Sequence, residues 1–217
     1  MCEQYNVIVE QENVTVMSSY TPLPREERGG QSEEELELSF IKQLTEQGYE
    51  YVNITSEAQM ISNLRKEIDR LNGLTLSDSE WKELFEKHIA SQNLTIEDKT
   101  NIIQRSEIIK IDLDDESPQN IKLIDKKDIH NNHLQVLNQY VPEGGAKENR
   151  YDVTILVNGL PLVHCELKKR GVPIKEAFNQ INRYERDSFW AGTGLYDYVQ
   201  LFVISNGTET KYYSNTT

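Results

Sequence analysis

The chain has few cysteines, no long apolar run and no excess of positive charge, and each shortage excludes a class of protein. Two cysteines among 217 residues, Cys2 and Cys165, are too few for a disulfide framework or a cysteine-rich zinc site. No apolar run approaches the roughly 20 residues that span a bilayer, and the first residues lack the pattern of a secretory signal. We therefore expect a cytoplasmic protein in a reducing compartment, with no membrane contact.

Positive charge is scarce overall, and it is unevenly distributed. The formal net charge is −13, from 23 basic and 36 acidic residues. Nine basic and eight acidic residues lie from Lys147 onward, so residues 1–146 hold 14 basic and 28 acidic ones. A net negative charge of this size argues against strong DNA binding by this chain alone. The acidic part could instead serve as a protein-docking surface.

The pattern of apolar residues predicts an α/β fold with a mixed central sheet flanked by helices. Residues 1–31 read as short strands and a linker, and 32–217 as one large domain. Within that domain, residues from about 57 to 106 read as a helical insertion and residues from about 133 to 217 as the core. Helices are expected at 33–47, 56–73, 77–93, 95–105 and 172–189, and strands at 51–54, 107–113, 120–125, 132–141, 151–157, 160–168, 198–205 and 210–214.

Residues 151–171, "YDVTILVNGLPLVHCELKKRG", place charges in an otherwise apolar hairpin. Residues two apart on a strand face the same way, so Glu166 and Lys168 share a face while the odd-numbered residues between them are apolar. Asp152 comes opposite Glu166 if the turn contains an odd number of residues. That register rests on polarity, because a strict two-residue Asn-Gly turn would offset the faces.

Two converging carboxylates repel each other unless a cation lies between them. An all-oxygen site formed by Asp152, Glu166 and the carbonyl of Leu167 favours Mg²⁺ or Mn²⁺. Such an ion polarises a phosphoryl oxygen and lowers the pKa of a bound water, while Lys168 can orient that water or stabilise developing charge. The hairpin therefore predicts phosphodiester hydrolysis. His164 reads as a neighbour of the site or a phosphate contact, and His130 and His133 as loop residues.

These residues also carry a family resemblance. Asp152 followed by Glu166-Leu167-Lys168 resembles the core of PD-(D/E)xK nucleases, although Tyr151 stands where that core often has proline. Gln180-x-x-x-Tyr184 resembles the QxxxY motif of the RecB-like branch. The resemblance implies an auxiliary glutamate near the metal on the preceding helix, at Glu37. It also implies DNA contacts for a basic set formed by Lys169, Arg170, Lys175, Arg183 and Arg186.

The runs "NRYDVTILVNGLPLVHCELKK", "FNQINRY" and "LFVISNG" together resemble the amino-terminal nuclease domain of the R subunit of type I restriction–modification enzymes. That resemblance implies a Mg²⁺-dependent endonuclease acting on double-stranded DNA, with methyltransferase (M) and specificity (S) subunits as partners. It also implies a larger motor subunit. Because the chain contains no G-x-x-x-x-G-K-[ST] motif, ATP would act only through domains absent from it.

Three other readings stay open. The chain could be a different PD-(D/E)xK nuclease, either a RecB-like repair nuclease or a stand-alone restriction enzyme. It could be a non-catalytic assembly module whose docking surface is the acidic residues 1–146. The spacing D-x13-E-x-K is weak by itself, since two acids and a lysine on neighbouring strands are often a solvated ion pair.

Overall fold

The computed structural model describes residues 4–11, 14–20, 32–105, 108–142, 144, 149–189 and 192–215. The chain divides into two compact units, Met1–Gln31 and Ser32–Thr217. In the first unit, strands β1 (Gln4–Gln11) and β2 (Val14–Tyr20) pair antiparallel, with a register shift between Val7 and Val9. The linker predicted after these strands lies outside the described residues.

The second unit contains a mixed sheet of six described strands, which confirms the predicted α/β class. Their order across the sheet is β10 (Thr210–Ser214), β9 (Leu201–Ser205), β8 (Leu160–Leu167), β7 (Tyr151–Val157), β6 (Leu134–Tyr140) and β3 (Glu50–Tyr51). The pairs β8–β9 and β3–β6 are parallel, and the other neighbours are antiparallel. A separate antiparallel hairpin joins β4 (Ile109–Asp112) to β5 (Pro118–Ile121).

Hydroxyl side chains begin four of the five described α-helices, a common position for serine and threonine. Ser32, Ser56, Ser77 and Thr95 each accept a hydrogen bond from a backbone N–H in the first turn. The helices are α1 (Glu33–Glu46), α2 (Glu57–Asn72), α3 (Asp78–Glu83), α4 (Ile96–Gln104) and α5 (Ile174–Asp187). None of the described helices is both long and apolar enough to cross a bilayer.

Several predicted elements differ from the observed ones. The strand expected at 120–125 is observed as β5, and the one expected at 198–205 begins only at Leu201. The strand expected at 51–54 is only the two residues of β3, because the chain turns away to reach the cap of α2 at Ser56. The single helix expected at 77–93 is α3 followed by a π-helical segment, Leu84–Ile89. That wider turn buries Leu84, Phe85 and Ile89 together.

Helices cover both faces of the sheet, as predicted. Helix α1 packs its buried Ile41 and Leu44 against Val153, Cys165 and Leu167. Helix α5 contributes buried residues to the larger core, which also contains α2, the π-helical segment and the other face of β9. The odd-numbered apolar residues of β8 therefore face α1, and its even-numbered polar residues face the side where α5 lies.

Candidate active site

The register of the β7–β8 hairpin brings the predicted carboxylates together. Its turn contains only Asn158 and Gly159, so the expectation of an odd-numbered turn was wrong. Instead, β8 contains one extra residue, Leu162, which restores the parity as a β-bulge does. Beyond the bulge the pairs are Ile155 with Val163, Thr154 with His164 and Val153 with Cys165. Continuing by one residue places Asp152 opposite Glu166, as polarity predicts.

Asp152 and Glu166 lie at the open end of this hairpin in a desolvated setting. Oδ2 of Asp152 accepts a hydrogen bond of 2.8 Å from the backbone N–H of Leu167. Burial, followed by the charge of Glu166, raises the pKa of Asp152 to about 7. Burial also raises the pKa of Glu166 to about 7, although Lys168 works in the opposite direction. The charged form of each carboxylate is therefore disfavoured unless a further cation lies beside it.

The ammonium group of Lys168 bridges two of the predicted metal ligands. Its Nζ lies 2.9 Å from Oε1 of Glu166 and 3.1 Å from the carbonyl oxygen of Leu167, and 3.8 Å from Oε2 of Glu33. Burial alone would lower the pKa of Lys168, but the neighbouring acids raise it above its ordinary value. These oxygens therefore already converge on one positive charge. An oxygen-only donor set of this kind fits a hard divalent cation.

Glu37 reaches the same region from α1, where it is buried. Its Oε2 accepts hydrogen bonds from the Asn138 amide (3.2 Å) and the Gln139 amide (2.6 Å). Burial raises the pKa of Glu37 to about 7, and the charge of Asp152 acts in the same direction. Gln139 has a positive φ of 58° although it lies within β6. Sequence reasoning missed this amide clamp, and no pattern in the sequence marks it.

Gln180 and Tyr184 contact each other on α5, but Tyr184 does not face an open surface. The hydroxyl of Tyr184 donates a 2.9 Å hydrogen bond to the carbonyl of Arg150, just before β7 begins. The Tyr184 ring is buried, 4.9 Å from that of Tyr151. Burial, with the charge of Glu166, raises the pKa of Tyr184 to about 12. In this arrangement Tyr184 fixes the backbone that carries Asp152.

The predicted basic set is spread along the segment after β8 rather than gathered at one point. Lys169, Arg170, Lys175 and Arg186 are exposed. The guanidinium of Arg183 lies over the Tyr184 ring at 5.4 Å, and Arg186 pairs with Asp187 at 2.8 Å. Lys169 and Arg170 directly follow Lys168, so these two lie nearest the carboxylates in the sequence.

The structure narrows the predicted role of one histidine and extends that of another. His164 is fully buried, so it is a neighbour of the site and not a phosphate contact; burial lowers its pKa to about 4. His133 is more than a loop residue, because its Nδ1 lies 2.9 Å from Oε2 of buried Glu67 and its Nε2 lies 3.5 Å from Oε2 of Glu50. These three residues offer ligand atoms within 4.8 Å of one another. The guanidinium of Arg70, 2.8 Å from Glu67, already supplies a cation there.

The comparison with known proteins agrees with the motifs around this site. Residues 30–217 match the family described as "Type I restriction enzyme R protein N terminus". The chain is 43% identical over 211 residues to the type I restriction enzyme EcoprrI endonuclease subunit of Escherichia coli, covering 97% of this chain and 67% of that protein. It is 42% identical over 194 residues to the SauMSSORF170P endonuclease subunit of Staphylococcus aureus (strain MSSA476), covering 85% of this chain.

The chain spans about two thirds of the Escherichia coli relative and only 20% of the Staphylococcus aureus one. A third relative, the SsaAORF53P endonuclease subunit of Staphylococcus saprophyticus, is 41% identical over 194 residues, which cover 85% of this chain and 20% of the relative. The family match includes both strands of the charged hairpin and the helix after it. The chain therefore belongs to the family of type I restriction enzyme R protein N-terminal regions.

Proposed function

We propose that residues 32–217 form a Mg²⁺- or Mn²⁺-dependent endonuclease domain of the PD-(D/E)xK type that hydrolyses phosphodiester bonds in double-stranded DNA. One observation carries the proposal. The carboxylates of Asp152 and Glu166 and the carbonyl of Leu167 meet at the open end of one hairpin, with the Lys168 ammonium between two of these oxygens. Two carboxylates and a backbone carbonyl, with a lysine ammonium on two of their oxygens, make a site suited to metal-assisted phosphoryl chemistry.

Each residue has a distinct part in this proposal. A divalent cation held by Asp152, Glu166 and the Leu167 carbonyl would polarise a phosphoryl oxygen and lower the pKa of a water. Lys168, the nearest ammonium, would stabilise negative charge on the phosphate. Glu37 adds a third buried carboxyl beside Asp152. Tyr184, with Gln180 against it, holds the Arg150 carbonyl and so fixes the start of β7.

The wider assembly is also a proposal. The relatives are named endonuclease subunits of type I restriction enzymes, which supports a multisubunit complex with M and S subunits. The chain spans a fifth of the staphylococcal relatives, which leaves room in such proteins for an ATP-driven DNA translocase. We place residues from about 57 to 106 as a helical insertion and those from about 133 to 217 as the catalytic core. Exposed Lys169 and Arg170 would contact DNA phosphates.

The test uses the complete subunit assembled in its restriction complex. Asp152→Asn and Glu166→Gln should each reduce DNA cleavage by at least about a hundredfold, because each removes charge from the cation site. ATP hydrolysis should stay normal, since these residues do not belong to the motor. Glu176→Gln, an exposed acid on α5, is the matched control and should cleave normally. Cleavage that persists in both site variants would contradict the proposal.

Calorimetry separates an enzyme from a non-catalytic assembly module. The 217-residue chain should bind Mn²⁺, and Glu166→Gln should weaken that binding by about tenfold or more. The acidic residues 1–146 are the feature that favours a docking module. Mn²⁺ binding that is absent, or that does not depend on Glu166, would favour the module.

A further inference from the structure

His164 has an unusual position for an imidazole. The side chain is completely buried in the middle of β8, and neither ring nitrogen has a hydrogen-bond partner among the described residues. A buried polar group without a partner costs on the order of 1–3 kcal/mol. An apolar ring would fill the same space without that cost, so the nitrogens call for an explanation.

Among the described residues, one carboxylate forms a close contact with the ring. Four aromatic rings surround the imidazole, at centroid distances of 5.4 Å (Tyr151), 5.9 Å (Tyr184), 5.5 Å (Phe189) and 6.5 Å (Phe202). The two tyrosine hydroxyls are already bonded, that of Tyr151 to Ser188 and that of Tyr184 to the Arg150 carbonyl. These four rings, the aromatic box, therefore pack around the imidazole but offer its nitrogens no hydrogen-bond partner.

The candidate partner is the carboxylate of Glu166. Its Oε2 lies 3.6 Å from Nε2 of His164, and this oxygen also lacks a hydrogen-bond partner among the described residues. The other oxygen, Oε1, is bonded to Lys168 at 2.9 Å. Two polar atoms without hydrogen-bond partners therefore lie opposite each other, and the distance between them is slightly longer than a hydrogen bond. A shift of a few tenths of an ångström would satisfy both.

We infer that His164 is a positioning residue for Glu166: its Nε2–H points at Oε2 and fixes the rotation of the carboxylate, so that Oε1 is presented to the cation. The inference rests on the proposed function, because it assigns the residue that orients one proposed ligand. Groups that hydrogen-bond to a metal ligand commonly change metal affinity by about 10- to 100-fold when they are removed. His164 does not touch the cation or the DNA.

Two substitutions separate positioning from packing. His164→Phe keeps an aromatic ring in the box but removes the donor, and it should raise the Kd for Mn²⁺ by about tenfold. His164→Gln can place an N–H where Nε2 lies, and it should keep the Kd within about threefold of the unaltered chain. Cys165→Ala, which perturbs the opposite face of the same strand, should not change the Kd. A normal Kd in His164→Phe, or an equal loss in Cys165→Ala, would overturn the inference.

A second measurement needs no variant. Nitrogen-15 NMR of the unaltered chain should find the imidazole proton on Nε2, with a signal that shifts when Mg²⁺ is added. A proton on Nδ1 would overturn the inference even if His164→Phe fails to fold. Different results would contradict the proposed function and the role of His164. Mn²⁺ binding without dependence on Glu166 removes the proposed function, whereas Glu166-dependent binding that ignores His164 removes only this inference.

Discussion

A buried glutamate lies beside a cationic side chain at each end of the β7–β8 hairpin, but the pKa values of the two glutamates are shifted in opposite directions. At the turn end, Glu67 lies 2.8 Å from the guanidinium of Arg70. At the open end, Glu166 lies 2.9 Å from the ammonium of Lys168. The pKa of Glu67 is lowered, because hydrogen bonds from Arg70 and His133 outweigh its burial. The pKa of Glu166 is raised to about 7, because burial outweighs Lys168.

Hydrogen bonding explains much of that difference. Beside Glu67, the fully buried Asn158 uses both ends of its amide. Its Oδ1 accepts from the His133 backbone (2.8 Å) and Arg70 (3.1 Å), and its Nδ2 donates to the Leu123 carbonyl (3.0 Å) and Asn132 (2.8 Å). One oxygen of Glu67 is left without a hydrogen bond. The open end leaves Oε2 of Glu166 and both nitrogens of His164 unmatched.

The contrast separates two uses of buried polar groups. A cluster that is matched within the protein stabilises one geometry, here the tight turn that packs against α2. A cluster left short of positive charge is a cost to the folded chain, and a bound cation offsets that cost. The same hairpin therefore has an anchored end and an end suited to bind a ligand.

The largest expected effect concerns the anchored end. Asn158→Ala should lower the free energy of unfolding by about 3 kcal/mol, because it leaves the buried Leu123 carbonyl and His133 N–H without partners. The residue also has a positive φ of 50°, which alanine adopts less readily. Urea denaturation measures the change. Asn182→Ala, at an exposed position on α5, is the control and should change stability by less than about 0.5 kcal/mol. An equal, small loss in both variants would refute the anchoring role.

A second prediction concerns how the free energy of unfolding depends on pH. The pKa values of Asp152 and Glu166 are raised to about 7 in the folded chain, so folding favours their protonated forms. Their contribution to stability should be complete below about pH 4 and lost as the pH rises through about 7. Glu67, whose pKa is lowered, contributes in the opposite sense and loses its contribution as the pH falls.

Denaturation of the metal-free chain at several pH values checks this sign. Glu166→Gln should flatten the loss of stability between about pH 4 and pH 7, because the variant has one raised carboxyl fewer. Glu176→Gln, a change at an exposed position on α5, should leave that slope unchanged. A slope that steepens in Glu166→Gln would mean that the open end is anchored like the turn.

The next effect, about tenfold in the affinity for Mn²⁺, separates the role of the Lys168 ammonium from that of the divalent cation. Lys168→Met should tighten Mn²⁺ binding at pH 8, because the ammonium no longer competes for Oε1 of Glu166 and the Leu167 carbonyl. The same variant should lose DNA cleavage in the full complex. Lys82→Met, an exposed change on α3, serves as the control for both measurements. Weaker Mn²⁺ binding in Lys168→Met would show that the ammonium supports the ion rather than standing in its place.

Much of this arrangement could be predicted from the sequence, because it depends on local patterns. Alternation along β7 and β8 predicted the charged face, and the helix expected at 33–47 is observed as α1. The bulge at Leu162 could not be predicted, since it depends on how β8 lies against both neighbouring strands. The amide clamp on Glu37 was also missed, because Gln139 reaches it only from a left-handed backbone within β6. Likewise, the pairing of His133 with Glu67 joins elements 66 residues apart.

The smallest expected effect concerns an exposed lysine beyond the open end. Lys169→Ala removes a side chain that is exposed, so the free energy of unfolding should change by less than about 0.5 kcal/mol. If Lys169 contacts a DNA phosphate, the salt dependence of DNA binding by the full complex should fall by about one unit of slope, equally for all sequences. Lys126→Ala, in the acidic part of the chain, should leave the slope unchanged. An unchanged slope in Lys169→Ala as well would indicate that only the buried residues form the functional end of the hairpin. It would also indicate that the DNA does not contact the segment that follows β8.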